Sequence, residues 1–554
     1  MRSLWINSAM KLLLGFLIWA PLLAQEPPAV EAQSSAPARK AAAESSKGGE
    51  LGEVFTILRA FQPDEALVAI EASSLNESLK SLFRGWAYHQ KGRYEEAVKH
   101  FDQVDKERLQ GEGFLLNRLE ELRKTGLALN GFESMETENF VIRFQEGHDR
   151  VMTFYLPDIL ERIYSAYSEM FAFERKEKVL VELMPDHELF SYASALSRKQ
   201  IETTGTIALC VENRLVVLTP RRVLQGYEWP DTIAHEFVHY ILTKKSRDHA
   251  PLWLQEGVAK YFEARWREND GSFLDPGMES SLATAVESGE YLTIEQMMPS
   301  FAALPTAALA RQAYAQTASM VDYMVKLKEV GIVQQMVTRL GMEPSMDAVL
   351  EASFAMDFAT FESSWQKWTR DQGYRNYETI AHGGVTLLDK DQNAGELGEA
   401  SLETDLGKKH TRLGDLLLER QRYQAALKEY YKTLETETKP SRQMALRILT
   451  CLEVLDQVDA MIAFVETQVP FPERDPTMLG YLAEGHLRKG QQLEARALLE
   501  RAIFINPFNP MIFQKLLTAL DREKEPEEVQ KAEEILKILT KPKAEPAGKK
   551  DIKS

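Results

Sequence analysis

The pentapeptide His235-Glu236-Phe237-Val238-His239 and the stretch Pro251-Leu252-Trp253-Leu254-Gln255-Glu256-Gly257-Val258-Ala259 decide how the rest of this chain is read. Residues four apart on an α-helix lie about 6 Å apart along the axis and nearly in line, so His235 and His239 project from one face and can hold one metal ion. Glu236 stands beside them, placed to take a proton from a water that the metal activates. The apolar Ile233, Ala234, Phe237 and Val238 let the remaining faces of the helix be buried, which keeps the imidazoles fixed and the site dry. A hydrolytic metal site usually takes three protein ligands and leaves a fourth position for water, so a third donor has to come from elsewhere. Glu256, 17 residues after His239, begins a second helix at a spacing that allows one turn-back loop.

Upstream, Pro230-Asp231-Thr232 opens the histidine helix, with Asp231 or Thr232 as its cap and acidic charge suited to the helix dipole. Phe140-Val141-Ile142-Arg143-Phe144 and Val179-Leu180-Val181-Glu182-Leu183 read as strands separated by a helical stretch over roughly 150–173. Thr206-Ile207-Ala208-Leu209 and Leu215-Val216-Val217-Leu218 read as two more, joined by a turn at Glu212-Asn213-Arg214. The expected architecture over residues 133–378 is therefore α+β, a small mixed sheet with active-site helices.

Taken together, the pentapeptide and Trp253-Leu254-Gln255-Glu256-Gly257-Val258-Ala259 resemble the gluzincin zinc metallopeptidases, most closely the peptidase MA-like branch with its Trp-Leu-x-Glu-Gly-x-Ala stretch. The resemblance covers roughly residues 135–375. It implies a zincin-like fold, one Zn2+ per chain held by His235, His239 and Glu256, and Glu236 as general base and later acid in peptide-bond hydrolysis. The segment Ala313-Tyr314-Ala315-Gln316-Thr317-Ala318-Ser319 is similar to the family's Tyr-x-Gln-Ser/Thr segment, which implies Tyr314 as donor to the tetrahedral oxyanion; its other reading is a packing tyrosine on an amphipathic helix. Many gluzincins carry an Asp four residues after the ligand Glu, where this chain has Lys260. Glu263 is on the same helix face as Glu256 and can orient a histidine instead; otherwise it is a solvated helix residue. His249 reads as a loop histidine without a metal role, against a substrate contact as its alternative. Val211-Glu212-Asn213 resembles the Met-Glu-Asn strand with which zinc aminopeptidases hold a free amine, but the plain hairpin turn is the reading preferred here. Cys210 reads as a buried strand residue, and no serine or cysteine nucleophile is marked.

On either side the spacing of apolar residues is helical. In the block 51–132, Gly85, Trp86, Tyr88, Gly92, Tyr94, Ala97 and Phe101 follow the order of a tetratricopeptide helix pair, in which small residues let two helices approach and aromatics fill the groove between pairs. Gly414, Tyr423, Ala426 and Tyr430 repeat it, as do Ala483, Gly490, Ala495, Leu499, Ala502 and Pro507, with a degenerate helical segment over 441–470 between them. A single pair cannot bury its apolar face, so 401–540 is expected to stack as a short all-α solenoid that binds protein partners. An ordinary helical bundle is the other reading.

The chain begins with Arg2 and Lys11 ahead of the apolar run Leu12 to Leu23, which ends at Ala24. This is read as a signal peptide over 1–24, with a signal anchor as the alternative, and it implies export to a bacterial periplasm or secretion. Residues 25–50 read as a flexible linker, 379–400 as a second linker, and 541–554 as a disordered Lys/Pro tail. Of 554 residues, 83 are Asp or Glu and 66 Lys or Arg, giving a net charge of −17. Removal of residues 1–24 takes away two basic side chains and no acidic one, which leaves −19. That balance argues against a nucleic-acid partner bound by phosphate neutralisation and against an anionic membrane surface. Stable membrane insertion is not expected after signal cleavage. The two cysteines, Cys210 and Cys451, rule out a disulfide framework and a cysteine-ligated zinc finger. The functional expectation is a zinc metallopeptidase acting on protein or peptide substrates outside the cytoplasm. The contrasting reading is a catalytically inactive peptidase fold serving as an adaptor or scaffold in the cell envelope.

Overall fold

The computed structural model describes residues 38–109, 113–194, 196–267, 273–298, 300–377, 386–389, 404–436 and 441–541. The signal-peptide reading, all of the linker at 379–400 but residues 386–389, and all of the tail but Lys541 lie outside them. Contacts divide the chain into two compact units. Among the described residues, one comprises those within 38–145, 157–219 and 230–387; the other comprises those within 146–156, 220–229 and 388–541. No helix among the described residues is long and apolar enough to cross a membrane.

The first unit is built on a five-stranded mixed sheet. Its strands are β1 (Glu133–Glu136), β2 (Phe140–Phe144), β3 (Val179–Met184), β4 (Ala208–Val211) and β5 (Arg214–Leu218), in the order β1-β2-β3-β5-β4. β2, β3 and β5 run parallel, with Ile142 opposite Val181 and Val181 opposite Leu215, while β1 and β4 pair antiparallel at the edges. All six residues of β3 are buried, as a central strand covered on both faces requires, and this accounts for its nearly unbroken apolar run. β1 has no counterpart in the sequence reading because all four of its residues are exposed and carry no apolar alternation. It exists through its ladder to β2. β4 and β5 are joined by the two residues Glu212 and Asn213, both with positive φ (56° and 64°), the backbone that a two-residue hairpin turn of right-handed twist demands.

Two elements differ from expectation. The chain is helical from Ala38 to Arg59, so the stretch read as a linker over 25–50 becomes a helix at Ala38. Its run Ala41-Ala42-Ala43-Glu44 has high intrinsic helix propensity, which a composition reading of flexibility overlooks. The helix expected over 150–173 is a 3₁₀ segment, His148–Phe154, followed by an α-helix, Leu156–Met170; Pro157 suits a first helical turn and not a helix interior.

The helices of 51–132, read as a block of their own, share the first unit with the sheet. Val54, Phe55, Leu58, Leu82, Phe83 and Trp86 form their core. Gly85 lies so close to Phe101 that a Cβ would meet the ring at 2.5 Å. A buried polar cluster ties these helices to the sheet. The Tyr94 hydroxyl donates to Glu182 Oε1 at 2.5 Å, and Arg214 Nη1 donates to Glu182 Oε2 at 2.5 Å and to the Tyr94 oxygen at 3.0 Å. Burial disfavours the Arg214 cation, but Tyr94 and Glu182 reverse that and hold its pKa above the ordinary value.

The second unit is helical. Asp405–Glu419, Tyr423–Thr436, Arg442–Val454, Val458–Gln468, Pro476–Arg488, Gln492–Ile505, Pro510–Ala519 and Pro526–Thr540 follow one another, several opened by side-chain caps from Thr404, Ser441, Asp475 and Asn509. Gly414 abuts the Tyr430 ring, and Ala483, Ala495, Leu499 and Ala502 pack with Ile512 and Phe513. The segment 220–229 is held to these helices. Gly226, at φ 78°, lies against the Ile505 carbonyl, leaving no room for a side chain. The Tyr227 amide donates to that carbonyl at 3.0 Å, and the Trp229 indole donates to the Ile503 carbonyl at 3.1 Å.

Candidate metal centre

Three helices of the first unit supply the site. The histidine helix, Trp229–Ser246, is locked in place because Ile233, Ala234, Phe237, Val238, Ile241 and Leu242 are fully buried. Phe237 meets Phe140 of β2 edge to face at 5.5 Å between ring centres. Asp231 sits inside the first turn, where its carboxylate accepts from the Trp266 indole at 3.0 Å and binds Arg267. The glutamate helix, Leu252–Phe262, starts one turn before Glu256 with Pro251 as its N-cap residue. It crosses the tyrosine helix, Ala307–Lys328, at Gly257, where an added Cβ would stand 2.5 Å from the Thr317 carbonyl oxygen. Gln316 fastens the tyrosine helix by exchanging two hydrogen bonds with the backbone of Leu292 (3.0 and 2.7 Å).

These helices bring His235, His239 and Glu256 together. Nε2 of His235 and Nε2 of His239 are 3.2 Å apart, and Glu256 Oε2 lies 3.7 and 3.5 Å from them. A tetrahedral ion with bonds of about 2.0–2.1 Å separates its ligand atoms by roughly 3.3 Å, so the donor set fits a zinc-sized ion. Among the described residues this is one group of histidine and carboxylate side chains able to hold a metal. The other ring nitrogens face acceptors: His235 Nδ1 is 3.3 Å from Glu263 Oε2, and His239 Nδ1 is 3.3 Å from Gln255 Oε1. An acceptor at Nδ1 places the proton there and leaves the Nε2 lone pair for a metal. Glu263 thus takes the orienting role, and its own carboxylate is ion-paired with Lys260.

The electrostatics suit a cation. Burial opposes charge on both partners, but the imidazoles hold the Glu256 carboxyl well below its ordinary range, and Glu256 and Glu263 favour positive charge at His235, which a bound cation would supply in place of a proton. Glu236 points to the same place from the histidine helix and is 6% exposed. Burial raises its pKa above the ordinary carboxylate value despite the opposing pull of His239 and His235. The Tyr314 ring stands 6.4 Å from that of His235 and packs edge-on against Phe301 at 4.9 Å. Burial and the carboxylates of Glu256, Glu236 and Glu263 hold its hydroxyl protonated, as a donor must be.

The remaining candidates separate clearly. His249 is outside the donor group, its amide donating to the Ser246 carbonyl at 3.1 Å. Glu212 occupies the hairpin turn, and its carboxylate is bound by Arg118, by the Trp86 indole and by Gln90 Nε2 at 3.3 Å. It is committed to the N-terminal helices, which answers the amine-binding reading with the hairpin one. Cys210 lies on β4 at the wall of the cleft, its thiol pushed up by burial and by Glu236.

Sequence reasoning missed Gln255, the ordering part of Lys260, and the whole wall that the N-terminal helices give the cleft. A cavity of about 280 Å³ is lined at once by His235, Glu236, His239, Glu256 and Tyr314 and by Phe55, Trp86 and Arg118. The sequence separation of Trp86 and Glu212, 126 residues, leaves no local signal for it.

Residues 198–371 match the model of the Peptidase MA superfamily, and the chain accordingly carries a peptidase MA-like domain there. The match spans β4, β5 and all three site helices, and begins after β1, β2 and β3. No curated protein matches the sequence.

Proposed function

We propose that the protein is a zinc-dependent metallopeptidase that hydrolyses peptide bonds of protein or peptide substrates outside the cytoplasm. The observation that carries this reading is the spacing of the three donor atoms, 3.2, 3.5 and 3.7 Å, with the Glu236 carboxyl beside them. His235, His239 and Glu256 would hold the ion. Zinc bound there supplies a Lewis acid for the scissile carbonyl and lowers the pKa of the attacking water. Glu236 accepts the proton of that water as its oxygen adds to the carbonyl carbon, then delivers it to the amine as the C–N bond breaks. Tyr314 donates a hydrogen bond to the oxygen that gains charge. The helices of 401–540 are proposed as a tetratricopeptide-type surface that selects a protein partner or substrate, and the apolar run at 12–23 supports export.

Metal analysis of purified protein is expected to find one zinc per chain, strongly reduced in His239→Ala. Glu236→Gln should keep the zinc and lose hydrolysis of an unstructured protein. Full zinc in His239→Ala would refute the ligand assignment. Zinc retained by a wild type that cleaves nothing across a broad peptide library would leave the adaptor reading standing.

A further inference from the structure

We propose that the N-terminal helices are the specificity wall of the cleft, and that the pocket they form accepts an apolar, aromatic or branched side chain of the substrate beside the scissile bond. This rests on the peptidase reading and adds to it a substrate class. The helices Ala38–Arg59, Glu77–Gln90 and Gly113–Leu129 contribute Phe55, Leu58, Trp86, Phe114 and Leu122 to the same cavity that Glu236 and Tyr314 line. At about 280 Å³ the cavity has room for a few side chains and a short length of backbone and none for a folded surface.

Charge decides what the pocket selects. Each charged residue that the wall and its rim bring to the cavity already has an opposite partner: Arg118 binds Glu212 and Glu121, and Arg59 binds Asp248. A charged substrate side chain entering there would lose its hydration without gaining a free counter-charge, whereas an apolar one meets Phe55, Leu58, Trp86, Phe114 and Leu122. The wall is also held in register with the catalytic residues. Trp86, Gln90 and Arg118 grip Glu212 at the end of β4, and Asn213 Nδ2 donates to the Gln90 carbonyl at 3.2 Å. Two residues before Glu212, Cys210 lines the same cavity as Glu236. A side chain in the pocket is thereby positioned relative to the reacting bond.

The test digests a peptide library of mixed sequence with the full-length, zinc-loaded protein and maps the products by mass spectrometry. Wild type is compared with Phe114→Ala, which enlarges the pocket, and with Asn117→Glu, which adds a charge to an exposed position on its wall. In parallel, binding of the same peptides to Glu236→Gln protein is measured. Wild type should favour apolar residues at one fixed position from the cleaved bond by about tenfold or more. Phe114→Ala should move that preference toward larger side chains, and Asn117→Glu should weaken it. Should Phe114→Ala fail to fold, Asn117→Glu carries the comparison. Cleavage without a fixed apolar position, or variant profiles that superimpose on wild type, would overturn the pocket while leaving the peptidase standing. If nothing is cleaved yet Glu236→Gln binds apolar peptides preferentially and the wall variants abolish this, the pocket stands and the peptidase falls. Neither cleavage nor preferential binding would overturn the pocket as well.

Discussion

Lys260 forms an ion pair with Glu263 near the end of the glutamate helix, and the free oxygen of that carboxylate faces Nδ1 of His235 at 3.3 Å. Lys260 therefore does not leave the histidine unsupported. The acceptor stands one turn further along, and the lysine fixes it. Acceptors of this kind set ring orientation and raise ligand basicity, and losing one costs about 10–100-fold in metal affinity. Glu263→Gln is expected to weaken zinc by that factor in a chelator competition. Lys260→Met should have a smaller effect of the same sign, since it frees the carboxylate without removing it. Unchanged affinity in Glu263→Gln would show that the contact is incidental.

The crossing at Gly257 makes a second expectation. With the Thr317 carbonyl 2.5 Å from where a Cβ would stand, and backbone on both sides, neither helix can give way cheaply. Gly257→Ala should cost about 1–3 kcal/mol, the range for overpacking a well-filled interior. Because Gly257 adjoins Glu256, zinc affinity should fall as well. Gly331→Ala is the control: nothing lies within 4 Å of its added Cβ, so its unfolding midpoint should stay close to wild type. Denaturant unfolding of the two variants decides the matter.

Legibility in the sequence followed the range of the interactions. His235, Glu236 and His239 are neighbours on one helix, so their relation is a matter of helical geometry and could be read directly. Glu256 and Tyr314 were reached through a stretch similar to a known family, and the structure brings both to the histidines. Glu263 was legible as a candidate only, because its worth depends on where the Lys260 side chain goes. β1 and the cleft wall left no trace in local pattern. β1 is exposed throughout, and Trp86, Gln90 and Arg118 meet Glu212 across about a hundred residues of chain. The linker reading of 25–50 met a helix at Ala38 because alanine-rich composition serves both states.

The buried cluster of Arg214, Glu182 and Tyr94 yields a third expectation. Arg214 and Glu182 are 1% and 0% exposed, so removing Arg214 takes the nearer cation from a fully buried carboxylate and leaves it Arg143 alone, at 3.8 Å. Arg214→Met should destabilise the protein by about 3–5 kcal/mol. Adding Glu182→Leu should recover much of that loss, since an apolar pair of similar volume suits the site. A double variant as unstable as the single one would mean that the cluster contributes through packing and the Tyr94 hydroxyl, and not through charge compensation. Urea denaturation of the three proteins makes the comparison.

Tyr314 offers the sharpest separation of a catalytic from a packing role. Its ring contacts Phe301 and lies near His235, which is what a structural tyrosine on the helix Ala307–Lys328 would also do. The two roles differ in what the hydroxyl alone contributes. Tyr314→Phe keeps the ring, and therefore the packing, and removes only the hydroxyl donor. If that donor stabilises the charge developing on the carbonyl oxygen, its loss should lower kcat by about a hundred to a thousandfold while zinc content and unfolding midpoint stay at wild-type values. KM should change little, because the interaction strengthens only as charge develops. A packing tyrosine predicts the opposite pattern: nearly full kcat in Tyr314→Phe, with loss of stability appearing only in Tyr314→Ala. Steady-state kinetics of the two variants, measured on one peptide cleaved by wild type, therefore assigns the residue.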